Sequence, residues 1–211
     1  MLTLYSMPSS GNSYKVRLLL AKLGLPFKHI AVEYEGKSTA TRTAKFRALN
    51  PAGKVPLLIL ETGEALAESN AILHYLGEGT RFVPQDRLTK ARMLRWMFWE
   101  QNAHETSVAV RRATFTYPHR EMNRSAARMA DLLTAGHAAL NVMETHLQNH
   151  DWLAGDTITL ADLCLYPYTA GCEVGGFDLT PRPAIKAWLK RVEHDGNHVG
   201  VEWTGNTKHT K

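Results

Sequence analysis

With 211 residues, 44% apolar and 21% charged, the chain has the make-up of a folded protein rather than a disordered one, and it can hold one ordinary domain or two small ones. Its formal charge of +5 is spread from Lys15 to Lys211, with Arg111-Arg112 the one basic pair in mid-chain and no zinc-finger spacing or phosphate loop beside it, which points away from nucleic acid and toward small anionic substrates. The richest apolar run, Leu160 to Ala170, is too short for a membrane span and is broken by Asp162; with no basic-then-apolar signal at the start, a cytoplasmic protein is expected.

The first 78 residues alternate strand-like runs with helical ones. Leu2 to Tyr5 predicts a strand, followed by a polar loop containing Pro8, Ser9, Ser10, Gly11 and Asn12. From Ser13, the apolar residues Val16, Leu19, Leu20 and Leu23 recur at helical spacing, and Gly24 supplies a stop. Phe27 to Val32 is a second strand, and Arg42 to Ala48 a short helix ending near Asn50-Pro51. Pro56 to Leu60 and Glu64 to Leu66 form a hairpin across Thr62-Gly63. From Ala67 the helical period returns through Ile72, Leu73 and Leu76. Strands and helices alternating at this spacing make a small sheet covered by helices.

Residues 79–85 form a linker, after which strand signals nearly vanish. Leu88 to Arg112, Met122 to Leu147 (despite Gly136), Leu160 to Cys172 and Ile185 to Val192 predict an all-helical half over 86–211, with a polar tail from Gly196. Thr159 and Asp162 have the spacing of a reciprocal helix cap, which assigns Asp162 to folding rather than catalysis. Trp152 is expected to dock that helix on the core. Cys164 and Cys172 form neither a metal-ligand nor a Cys-x-x-Cys spacing. Eight residues apart on one helix they would stand about 12 Å apart along the axis, too far to bridge, and are expected as buried thiols.

On local sequence alone Pro56 also reads as a proline opening an edge strand, and Glu68-Ser69 as a simple helix cap. The ordered set of motifs says more. An opening Leu4-Tyr5 strand leads to Ser10-Gly11-Asn12-Ser13 and a helix carrying Lys15 and Arg17. Asn50 to Leu57, Leu66 to Ile72, Trp152 to Asp156 and Thr159 to Asp162 follow. In this order, along nearly its full length, the chain resembles the soluble glutathione transferases. The resemblance implies an α/β thioredoxin-like domain over 1–78 that binds glutathione, plus an all-α domain that shapes the acceptor pocket.

The resemblance also implies roles. Pro56 falls where family members have a cis proline, leaving the backbone of Val55 to pair with the cysteinyl backbone of the tripeptide, as an added strand would. Ser69 is implied to hold the γ-glutamyl carboxylate at a helix start, and Glu68 the ligand's α-amino group. Lys37 and Lys54 are candidates for the glycyl carboxylate. The thiol falls beside Ser10 and Asn12, with Ser9 and Tyr5 as competitors for the donor. Bacterial classes that use a hydroxyl residue and an asparagine in this way include some that favour disulfide reduction over conjugation. The acceptor, a small electrophile or a disulfide, is expected against Trp99, His104, Arg111 and Tyr117, with Trp96 and Phe115 nearby. Glutathione is the one cosubstrate implied, with no metal, and a homodimer is the usual family state. A non-catalytic binding protein of the same fold stays open as an alternative.

Overall fold

The computed structural model describes residues 1–32 and 40–205. They form two compact units, Met1–Glu78 with the segment from Gly196 onward, and Gly79–Asp195. The first unit contains β1 (Leu2–Ser6), α1 (Gly11–Leu23), β2 (Phe27–Ala31), α2 (Ala44–Leu49), β3 (Leu57–Ile59), β4 (Ala65–Ala67) and α3 (Ser69–Gly77). The strands form one four-stranded sheet in the order β2-β1-β3-β4, with β1 parallel to β2 and the other pairs antiparallel.

Register decides what the sheet can present. Tyr5 pairs with Leu57, and Leu57 with Ala67, so three strands are aligned at one end. Because β3 runs against β1 and β4 against β3, the chain leaves β1, enters β3 and leaves β4 at that same end. Residues 7–10, 55–56 and 68–69 are therefore delivered together, although the first and last of these segments are about 60 residues apart in sequence. The core beneath is apolar, with Leu4, Val16, Leu19, Leu57, Leu58, Ile72 and Leu73 fully buried. Helix α1 starts where Ser10 accepts a hydrogen bond from the Ser13 N–H and stops at Gly24, whose φ of 64° is the left-handed conformation that glycine adopts at little cost.

The polar tail, which the sequence attaches to the helical half, instead belongs to the first unit. The Tyr14 hydroxyl donates to the Val199 carbonyl at 2.5 Å, and the Trp203 ring meets Phe27 edge-on at 5.7 Å. No local pattern in a ten-residue polar stretch encodes such a return.

In the second unit, the helix predicted from Leu88 to Arg112 is present but not uniform. It comprises α4 (Arg87–Trp99), a π-helical stretch (Glu100–Ala109) and α5 (Val110–Thr116). A π stretch shifts each hydrogen bond by one residue, and polar side chains here bond the carbonyls of the preceding turn. Asn102 donates to Phe98 O, Thr106 to Asn102 O and Ser107 to Ala103 O, at 3.0, 2.9 and 2.6 Å.

Helix α6 (Ala126–Leu147) begins later than predicted, because Ser125 caps it and 118–123 form a 3-10 turn. Helix α7 (Leu160–Ala170) ends earlier, so Cys172 lies in the following 3-10 turn and the two cysteines do not share a helix. Both are buried thiols outside any disulfide, and burial, reinforced by the nearby Glu173 charge, pushes the Cys172 thiol up to about 12.

The capping box at the start of α7 is built as its spacing predicts. Thr159 N–H donates to Asp162 Oδ2 at 2.8 Å, and the Thr159 hydroxyl accepts from the first-turn N–H groups. Asp162 does more than cap: its Oδ1 accepts from Leu153 N–H at 3.0 Å and from Trp188 Nε1 at 2.8 Å. Burial raises its carboxyl pKa, and these donors pull it back. Docking therefore runs through Leu153 and Trp188; Trp152, expected in that role, is only half-buried. Helix α8 (Pro183–His194) has no side-chain cap of its own, and the buried Glu144 carboxylate of α6 accepts from Ala184 N–H and Ile185 N–H instead.

Gly136, tolerated by the sequence as a weak point in α6, has a packing reason. A Cβ built there would stand 2.3 Å from Phe177 Cε1. Gly136→Ala gains up to about 1 kcal/mol of helix propensity, and overpacking costs about 1–3 kcal/mol. The variant is expected to unfold at lower denaturant, and Phe177→Leu in the same chain should restore much of the loss. A more stable single variant would contradict the packing.

Candidate functional site

The segment joining β1 to α1 is tied at nearly every polar group. Met7 O accepts from Ser10 N–H at 3.0 Å, and Met7 N–H donates to Ser13 Oγ at 3.1 Å. Ser10 Oγ accepts from Ser13 N–H at 3.3 Å, which uses an oxygen lone pair and not the hydroxyl proton. Ser10 thus stands at the positive end of a 13-residue helix with no acidic residue in its first turn. Tyr5, one of the competing donors, packs its ring edge-on against Phe46 of α2 at 5.7 Å.

Beneath this segment lies a polar group that the sequence did not single out. The buried Arg17 donates from Nη1 to Ser6 Oγ at 2.9 Å, and Ser6 Oγ lies 2.7 Å from His29 Nε2. The Arg17 charge thus lies one hydroxyl away from the imidazole, which disfavours the protonated ring. Burial, and then the Arg17 charge, lower the His29 pKa accordingly.

The Val55–Pro56 peptide bond is cis. Val55 lies outside the ladder, which begins at Leu57, so neither its N–H nor its C=O is used by the sheet. Lys54 is exposed, and its carbonyl accepts from Asn50 Nδ2 at 2.8 Å. Ser69 is the first residue of α3 and is buried, whereas Glu68 before it is exposed. Glu68 adopts φ 69° and ψ 115° and makes no side-chain cap, so the simple-cap alternative does not hold for it. For a residue with a Cβ that conformation costs on the order of 1–3 kcal/mol. The Ser69 hydroxyl donates to Asn12 Oδ1 at 3.2 Å, which joins the start of α3 to the first turn of α1. Lys37 lies outside the described residues.

The four acceptor-side candidates belong to the second unit and differ in kind. Trp99 is half-buried and meets Trp96 edge-on at 5.1 Å. Tyr117 is half-buried at the end of α5, with His119 5.7 Å from its ring. His104, expected as a wall residue, is fully enclosed in the helical core, with Nε2 3.0 Å from Thr169 Oγ1. Arg111, expected against the acceptor, turns Nε and Nη1 to the carbonyls of Gly175 and Met129, both at 2.6 Å. Those contacts give its charge a structural use in bridging α5, α6 and the 3-10 turn.

Histidine burial has a consequence for stability. His29, His137 and His146 all have pKa values lowered first by burial. The unfolded chain takes up these protons near pH 6.5, whereas the folded protein resists them. Their contribution is therefore present above that pH and lost as pH falls below it. The thermal midpoint is expected to drop between pH 7.5 and 5.5, less so in His146→Gln. A midpoint flat across that range would contradict the burial.

A mixed four-stranded sheet with helices packed on it, opened by a cis proline at β3 and paired with an all-helical unit, defines the class: a thioredoxin-like α/β domain plus an all-α domain. The family model of the glutathione S-transferase N-terminal domain matches residues 1–78, and that of the C-terminal domain matches residues 105–195. A possible glutathione S-transferase from Rhodopseudomonas palustris is 42% identical at a TM-score of 0.90, over 96% of this chain and 98% of that one. A glutathione S-transferase from Pseudomonas fluorescens is 40% identical at the same TM-score, over 95% and 98%. Among relatives, the disulfide-bond oxidoreductase YfcG of Escherichia coli is 28% identical over 208 residues, covering 91% of this chain and 90% of that protein. The chain belongs to the glutathione S-transferase family.

Proposed function

We propose that the first unit binds glutathione and ionises its thiol at Ser10 for attack on a small electrophilic acceptor. The carrying observation is the Ser69 to Asn12 hydrogen bond at 3.2 Å, because it joins the two segments that must hold opposite parts of one tripeptide. In this reading Glu68 pairs with the α-amino group and Ser69 with the γ-glutamyl carboxylate. Val55 pairs with the cysteinyl backbone, and Lys54, with Lys37, draws the glycyl carboxylate.

The chemistry required is modest. A free thiol ionises near pKa 8.5, and lowering that by two units takes about 2.7 kcal/mol of preference for the thiolate. A hydrogen bond to a charged acceptor supplies about 1.5–3 kcal/mol and a helix N-terminus about 0.3–1 kcal/mol, so Ser10 and α1 together suffice. The thiolate then forms a carbon–sulfur bond at the acceptor and expels its leaving group. A second reading has support of its own, in the Ser10-x-Asn12 pattern and in the relative named as a disulfide-bond oxidoreductase. There the thiolate attacks a disulfide sulfur, forms a glutathionyl mixed disulfide and releases the other sulfur as thiolate.

Ultraviolet titration of the thiol in the glutathione complex, followed by turnover with an aryl halide and with a mixed disulfide, separates the readings. A lowered thiol pKa with aryl halide turnover supports conjugation, and turnover of the disulfide alone supports reduction. An unshifted pKa with no turnover leaves a binding protein and sinks both. The same proposal carries a cytoplasmic setting, where glutathione is kept reduced. It also carries a homodimer, for which Leu88 and Phe98 of α4, 58% and 65% exposed, offer apolar surface. Light scattering should give about twice 23.6 kDa.

A further inference from the structure

Arg17 is fully enclosed, and its donors are directed at carbonyls of two separate segments. Nη1 donates to Met7 O at 3.2 Å as well as to Ser6 Oγ. Nη2 donates to Pro8 O at 2.8 Å and to Val201 O at 2.7 Å. One nitrogen therefore bridges the segment that leads into Ser10 and the tail that returns from the far end of the chain. The tail is itself anchored along α1 and β2, by Tyr14 to Val199 O, Lys22 Nζ to Gly196 O at 3.3 Å, and Trp203 on Phe27.

We infer that the segment from Gly196 to Gly205 is a strap that sets the position of Ser10 through Arg17, which makes Arg17 a positioning residue for thiol activation. The inference rests on the proposed reading of the thiol site. A buried guanidinium is costly unless its donors are matched, and the tail supplies one of the matching carbonyls. If the tail moves away, Arg17 loses that partner inside a closed site and shifts. Met7 and Pro8, whose carbonyls it holds, shift with it. Met7 O is also the acceptor for Ser10 N–H, so the displacement reaches Ser10 through its backbone. Arg17 is not placed to meet the ligand itself, because it has no exposed surface. Val55, Glu68 and Ser69 stand on other segments, before β3 and at the start of α3, so the grip on the tripeptide and the activation of its thiol are separable.

That separation is the test, made in the full chain with Arg17→Lys and, far from the loop, Trp203→Ala. Lysine keeps the charge but lacks the planar fork needed to reach carbonyls on both segments. In Arg17→Lys the thiol pKa in the glutathione complex is expected to rise by about one unit, and kcat measured below that pKa to fall about tenfold. The glutathione Kd should stay within about threefold of the unsubstituted protein, a free-energy change of less than 1 kcal/mol. Trp203→Ala should move pKa and kcat the same way by a smaller amount, and it remains informative if Arg17→Lys fails to fold. Unchanged thiol pKa in both variants, or parallel loss of Kd and kcat, overturns the inference. An effect in Arg17→Lys with none in Trp203→Ala removes the strap. Failure of the underlying reading is seen elsewhere, in an unsubstituted protein that leaves the glutathione thiol unshifted.

Discussion

Replacing Asp162 with alanine is expected to destabilise the helical unit by about 3–5 kcal/mol, a large part of the total stability of an ordinary domain. The size follows from its partners. Oδ2 receives the Thr159 N–H and hydroxyl, and Oδ1 receives Leu153 N–H and Trp188 Nε1. Loss of a helix cap costs about 0.5–2 kcal/mol. Each buried donor left without an acceptor costs about 1–3 kcal/mol more. At two to four degrees per kcal/mol, the thermal midpoint should fall by roughly 6–20 °C. Trp188→Phe removes a donor without stranding another and should cost much less. Asp162→Asn should lie between, because one amide oxygen can serve only one side of the site. Differential scanning calorimetry of the three variants gives the order, and an Asp162→Ala protein of normal stability would refute this account of the helical core.

Ser10→Ala is the second large effect, and it falls on chemistry. The variant is expected to return the glutathione thiol toward its free pKa, a rise of up to about two units, and to lower kcat near pH 7 by roughly 10- to 25-fold. The same substitution removes the α1 cap, which by itself costs about 1 kcal/mol. Ser10→Gly separates the two consequences, because glycine is within a few tenths of a kcal/mol of serine at a cap yet has no hydroxyl. Both variants should lose the shift to a similar degree while differing in thermal midpoint. Ser9→Ala should leave the thiol pKa where it is. If Ser9→Ala abolishes the shift and Ser10→Gly does not, the donor has been assigned one residue too late.

The parts of the molecule that a sequence makes readable are those written in short-range patterns. The strand and helix order of the first unit, the stop at Gly24 and the Thr159–Asp162 cap each depend on residues within a few positions, and each is present. The π stretch from Glu100 to Ala109 is different, since its apolar spacing reads as an ordinary helix and only the bonds of Asn102, Thr106 and Ser107 to backbone carbonyls mark the change. Gly136 reads as a weakness until Phe177, 41 residues on, is known to lie over it. In the candidate site, Ser10, Asn12, Val55, Glu68 and Ser69 were named from motifs. Arg17 was visible within one of them, but its partner at Val201 is 184 residues away. His104 and Arg111 illustrate the reverse limit: polar residues in a helical run give no local sign of whether they face a cavity or a carbonyl.

The paired end of the sheet has a practical counterpart at its opposite end. The turn at Thr62-Gly63 joins β3 to β4 where no candidate residue is delivered, and 61–65 are exposed. Its closing bonds, Leu60 N–H to Glu64 O and Gly63 N–H to Leu60 O, are local to the turn. A fluorophore or short epitope inserted between Thr62 and Gly63 would therefore leave the Tyr5–Leu57–Ala67 alignment undisturbed. It would give the molecule a reporter handle at the end of the sheet opposite Ser10.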